Sequence, residues 1–241
     1  MILLVGLTVG ALMALVGAGV GALTVPLSVH LLGYNYHDAT IAGLVVVMVS
    51  GAVNSLLSTR RGEVRFRAAL PFVLISTPIA LLVGHFGKSI PEAVTALLIS
   101  FVLLIFATSL LRPVYSEQAK SWKGWLGAAF AGASAGALGL GGGFVIVPSL
   151  RIITQLSIAS SVATGSVILT GNAAAALIGK GEFPSLELWL LGGCAALGVL
   201  LGRMLTKKIS ARVRQIGLAV MLYLFSLITL LDVITRLRTG A

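Results

Sequence analysis

Charge is what this sequence has least of: 10% of its 241 residues are Asp, Glu, Lys or Arg. A soluble domain carries roughly a quarter of its residues as charges, so water cannot be the only solvent here. Cysteine is nearly absent. The single Cys194 lies inside an apolar run, which excludes an intramolecular disulfide and a thiolate metal site. Catalytic signatures are missing as well. There is no H-E-x-x-H, no G-x-S-x-G and no metal-ligand cluster in the sequence. An enzyme is therefore not expected, and no cofactor is called for. The opening residues MILLVGLTVG lack the basic region and the small-residue cleavage pattern of a typical signal peptide.

What the sequence does hold is apolar length. Hydrophobic residues make up 58% of it, in stretches at 2–33, 39–57, 68–86, 92–111, 125–150, 160–178, 186–205 and 213–235. Continuous apolar blocks of spanning length predict an all-α polytopic membrane protein with lipid as a partner. A β-barrel would need short alternating strands instead. The net charge of +10 does not point to nucleic acid, because no basic stripe with interleaved aromatics occurs. The cations sit between apolar segments, where they orient a chain in the bilayer.

The sequence is written twice. Gly17, Gly19, Gly21, Val25 and Pro26 recur 122 positions later as Gly139, Gly141, Gly143, Val147 and Pro148. Gly43 then pairs with Gly165, Ser50 with Asn172, and Gly62 and Glu63 with Gly181 and Glu182. This predicts a first repeat over 1–111, a cytoplasmic linker over 112–124 and a second repeat over 125–241, all within one membrane domain. The loop at 58–67 carries four arginines and its counterpart only Lys180, whereas the next loops carry Lys88 alone and then five cations at 203–214. Because basic loops stay in the cytoplasm, equivalent loops are expected on opposite sides, as in the inverted repeats of secondary transporters.

Inversion needs an odd number of crossings per repeat. If the long first segment of each repeat breaks at its glycines and re-enters, three crossings remain. Thirteen Lys and Arg then fall inside and four outside, against ten and seven for eight plain crossings. Both ends of the chain are then expected outside the cytoplasm.

Backbone that leaves the helix at membrane depth must be buried or line a wet cavity. A new half-helix starting after each break presents free N–H groups, a natural anion site. Gly19, Gly21, Gly141, Gly142 and Gly143 are the candidate openings of that site, with Pro26 and Pro148 just beyond. Ser50, Thr164, Ser166 and Asn172 offer donors without a buried charge. The plainer alternative is that the glycines allow close helix packing and the hydroxyls and amides bond between helices. Glu63, Glu182 and His30 are candidates for proton coupling, with interfacial ion pairs or caps as the alternative.

The elements GALGLGGGFVIVPSL and ASSVATGS, with their weaker partners GAGVGALTVPL and DATIAGL, resemble the TauE/SafE family of sulfite and organosulfonate exporters. The resemblance implies an inner-membrane carrier of small sulfur-containing anions. The first copy departs from the fuller pattern, since Ala18 and Val20 interrupt its glycines and Gly43 stands where a small polar residue is usual. An anion channel or a structural membrane subunit is the alternative function.

The orientation reading has a direct check. Single cysteines at Gly62→Cys and Gly181→Cys, in a Cys194→Ala background, are expected to react with an impermeant thiol reagent from opposite sides. Reaction from one side refutes the inversion.

Overall fold

The computed structural model describes residues 1–16, 21–111, 121–205 and 210–239. Ten helices account for almost all of them. They are α1 (Ile2–Val16), α2 (Gly21–Leu32), α3 (Tyr36–Arg60), α4 (Phe66–Gly87) and α5 (Glu92–Leu111). The rest are α6 (Ser121–Leu138), α7 (Gly143–Thr154), α8 (Ile158–Lys180), α9 (Leu186–Leu205) and α10 (Ala211–Thr239). No strand occurs among the described residues. Six helices, α3, α4, α5, α8, α9 and α10, are long and apolar enough to cross a membrane. The long segments 2–33 and 125–150 are each divided into two shorter helices.

The second division is set by backbone geometry. Gly139, Gly141 and Gly142 all have positive φ, at 68°, 71° and 73°, a region that side chains with a β-carbon rarely enter. Helix α6 therefore stops at Leu138. Gly142 then caps α7, its carbonyl accepting from the amides of Val145 and Ile146 at 3.1 and 3.2 Å. Helix α7 folds back along α6, with Gly124 against Ile153 and Gly127 against Ser149. The residues corresponding to this turn in the first segment, including Gly17 and Gly19, lie outside the described ones.

Helices α3 and α8 form the spine. In their spanning stretches 61% and 67% of residues are buried, against 22% to 44% in the other four candidates. They run antiparallel. Asn54, late in α3, meets Ser166, early in α8. His37, early in α3, meets Glu182 just past the end of α8. The bundle thus has an arginine-rich end, where Arg65 and Arg203 meet α8 and α3. At the opposite His37 end, Tyr36 donates to Asp232 of α10 at 3.1 Å.

The first helix of each half packs on the other half. Helix α1 lies along α9, and α6 lies along α4. Both seams are made by glycine. A β-carbon on Gly6 would come within 2.8 Å of the Leu191 carbonyl oxygen, and one on Gly136 within 2.6 Å of the Ala80 carbonyl oxygen. At Gly10 and Gly132 it would overlap the carbonyls of Ala195 and Ser76 outright. Small residues that bring backbones together are the usual means of helix association where lipid is the solvent. The outer surface presents Leu70, Leu74, Phe86, Phe101, Leu190, Leu197, Leu227 and Leu231 exposed, an apolar face suited to hydrocarbon.

Two alanine substitutions separate these packing glycines from free ones. Gly132→Ala forces backbone apart and is expected to lower the melting midpoint of the purified protein, at a cost of about 1–3 kcal/mol. Gly193 has no atom within 4 Å of where a β-carbon would stand. Gly193→Ala should leave the midpoint unchanged or slightly raised, since glycine inside a helix costs about 0.5–1 kcal/mol against alanine. Equal effects would contradict the seam.

Candidate functional site

The two helix starts meet in the middle of the bundle. Gly21 opens α2, and a β-carbon there would overlap the Val47 side chain and lie 3.4 Å from the carbonyl oxygen of Leu140. A β-carbon on Gly141 would lie 2.8 Å from the same Val47, which sits near the midpoint of α3. One helical turn away, Gly43 takes the carbonyl of Gly139 at 2.5 Å from its own would-be β-carbon and Val25 at 3.0 Å. Gly139 in turn presses on the backbone of Thr40. The absence of a polar side chain at position 43 therefore has a steric cause: the turn between α6 and α7 occupies that space.

The chemistry at this junction is that of helix N-termini. The first amides of α2 and α7 have no acceptor within their own helices and carry the positive end of the helix dipole. Gly21, Gly141, Gly142 and Gly143 are all buried here; Gly19 falls outside the described residues. Thr24, in the first turn of α2, is fully buried and its hydroxyl has no hydrogen-bond partner. Thr24 is not among the polar candidates of the sequence, which come from 39–57 and 160–178; its repeat counterpart is the apolar Ile146. Pro26 is buried inside α2 and Pro148 half-buried inside α7, each one turn or more past the start of its helix.

The remaining polar candidates distribute along the spine. Ser50 donates to the carbonyl of Val46 and reaches Met13 Sδ at 3.1 Å. Asn172, its repeat partner, faces α4 instead: its Oδ1 accepts from Ser76 at 2.8 Å and Thr77 at 3.0 Å. Its Nδ2 is buried without a partner. Ser166 accepts from Asn54 at 2.6 Å and donates to Val162 at 2.9 Å. Thr164 accepts from the backbone amide of Arg65 at 3.0 Å and so ties α8 to the loop before α4.

The titratable candidates occupy opposite ends. Glu182 pairs with His37 Nε2 at 2.9 Å, both partly exposed. Glu63 lies at the arginine-rich end, its amide bonded to Ser58 at 3.1 Å. His30, in the last turn of α2, is 3.4 Å from Thr229. At the His37 end burial, followed by the nearby Glu187, raises the Tyr34 phenol above its ordinary value, and the two are 3.3 Å apart. Lys180 is 1% exposed there. It lines a cavity of about 10 Å³ with His37, Thr40, Glu92 and Thr95, room for about one water molecule. Among the described residues no cluster of three or more His, Cys, Asp or Glu could hold a metal ion.

Arg203 was counted in the sequence only as a loop charge, yet it enters the bundle. Its guanidinium reaches Asn54 Oδ1 at 2.7 and 3.1 Å and Ser58 Oγ at 2.7 Å. Its position at the end of an apolar run was the available signal.

Comparison with known proteins agrees with this architecture. Residues 2–229 match the family described as "Sulfite exporter TauE/SafE". Two relatives from Xylella fastidiosa are each named "Probable membrane transporter protein". That of strain 9a5c is 30% identical over 158 residues, 61% of this chain and 60% of the relative. That of strain Temecula1 is 28% identical over 174 residues, 68% and 66%. The aligned region thus spans somewhat less than two thirds of either relative. No solved structure matches. A match running from residue 2 to residue 229, on a helical bundle with six candidate spans, establishes that this chain belongs to the sulfite exporter TauE/SafE family.

Proposed function

We propose that the chain is a secondary transporter, an exporter of a small sulfur-containing anion such as sulfite or an organosulfonate. In this reading the anion binds near the bilayer midplane at the starts of α2 and α7 and is moved by alternating access. One observation carries it: the start of α2 and the turn that leads into α7, from different halves of the chain, both pack on Val47, and Thr24 in the first turn of α2 has a buried, unpaired hydroxyl. Backbone amides can bind an anion there without a buried countercharge.

The reading includes an inverted repeat of 1–111 and 125–241, joined at 112–124. It is supported by the reciprocal packing of α1 on α9 and α6 on α4. Glu63 and Glu182, repeat partners, also lie at opposite ends of the bundle. With the arginine-rich end in the cytoplasm, the His37 end, with the start of α1 and the end of α10, faces outward from the inner membrane. Export then runs down the membrane potential, worth about 2.3 kcal/mol per charge per 100 mV. Glu63, Glu182 and His30 are the candidates for proton coupling, Glu182 paired with His37 at the outer end.

Proteoliposomes loaded with sulfite test the proposal. Saturable efflux is expected, and Gly141→Leu, which drives a side chain into Val47 from a backbone at φ 71°, should abolish it. Thr24→Val keeps the shape and removes only the hydroxyl. Losing a hydrogen bond to a charged group costs about 1.5–3 kcal/mol, so its KM for sulfite should rise at least roughly tenfold with the melting midpoint unchanged. Non-saturating conductance would favour a channel, and a wild-type KM in Thr24→Val would remove that residue from the site.

A further inference from the structure

At the arginine-rich end, on the outer surface between α3 and α9, lies an open cavity of about 420 Å³. Its walls are Leu57, Arg61, Leu200, Arg203 and Met204. Arg203 is held there by its Nε and Nη2 atoms, which bond Asn54 and Ser58. Its Nη1 is buried with no partner. The bonds to Asn54 and Ser58 fix the guanidinium in the cavity wall, where its charge attracts an oxyanion. Arg61 stands beside it as a like charge, with Glu63 acting from the opposite sign. Both arginines line the cavity and present two cations to it.

We infer that this cavity binds the phosphate group of an anionic phospholipid from the cytoplasmic leaflet. The apolar walls decide between a lipid and a free anion. Leu200 is 43% exposed and Met204 73% exposed, so the cavity continues into the apolar outer face where an acyl chain can lie. A small inorganic anion would satisfy the arginines and leave those side chains uncovered. The arginines of 60–67 add to the attraction of an anionic leaflet. The bound lipid would clamp α3 to α9, completing the bond set that Arg203 makes with Asn54. This inference stands independently of the transported substrate.

The test uses the purified full chain in a neutral detergent. Mixed micelles containing phosphatidylglycerol should raise the melting midpoint by several degrees, and the lipid should stay bound in native mass spectrometry. Phosphatidylcholine, or inorganic phosphate at the same concentration, should do neither. Arg61→Gln, an exposed position, should weaken lipid retention at least tenfold without changing the lipid-free midpoint. Arg67→Gln, another exposed arginine, should retain the lipid as the wild type does. Equal stabilisation by phosphatidylcholine, full reproduction by inorganic phosphate, or unchanged retention in Arg61→Gln would overturn the assignment.

Discussion

Hydrocarbon offers no hydrogen bonds, and that constraint organises this bundle. A helix broken at membrane depth exposes amides and carbonyls that lipid cannot satisfy, so each break must be enclosed by protein. Helix α3 provides the enclosure at the junction. Thr40, Gly43 and Val47 form a strip against which Gly139, Gly141 and the start of α2 all pack. Remove the space at Gly43 and the carbonyl of Gly139 has nowhere to sit. The same enclosure that makes the break tolerable also keeps its amides dry, and dry amides bind anions most strongly.

Close packing elsewhere serves the same end. Because α1 rests on α9 and α6 on α4, each hairpin is covered by helices from the other half of the chain. The seams depend on van der Waals contact between backbones rather than on expulsion of water. Their glycines, Gly6 and Gly10 on one side and Gly132 and Gly136 on the other, are therefore structural, whereas those of 139–142 shape the turn itself. The family's glycine-rich signature thus contains residues of two kinds.

Much of this was legible in the sequence. Apolar run length identified the six long helices, and the glycine clusters marked where the two overlong segments divide. The paired elements also carried the family resemblance. What periodicity could not reveal was lateral contact. Ser50 and Asn172 are equivalent by position, yet one faces Met13 and the other Ser76 and Thr77, because the neighbours differ even where the backbone pattern repeats. Thr24 lies outside the stretches 39–57 and 160–178 from which the polar candidates came. Arg203 looked like one more orienting charge, since counting cations by loop says nothing about which ones turn inward to bind Asn54. Thr164 also accepts from the amide of Arg65, a contact no pattern in the sequence announces. Lys180, read as an outer loop charge, proves almost wholly buried.

The central claim is positional: an anion rests at the joined starts of α2 and α7. Selenite, a heavier analogue of sulfite, can be located in crystals by its anomalous scattering. The account places the selenium within hydrogen-bond reach, through its oxygens, of the Gly143 amide and the Thr24 hydroxyl. Selenite found only at the Arg61–Arg203 cavity, or absent from the junction while it still competes with sulfite for transport, would contradict it.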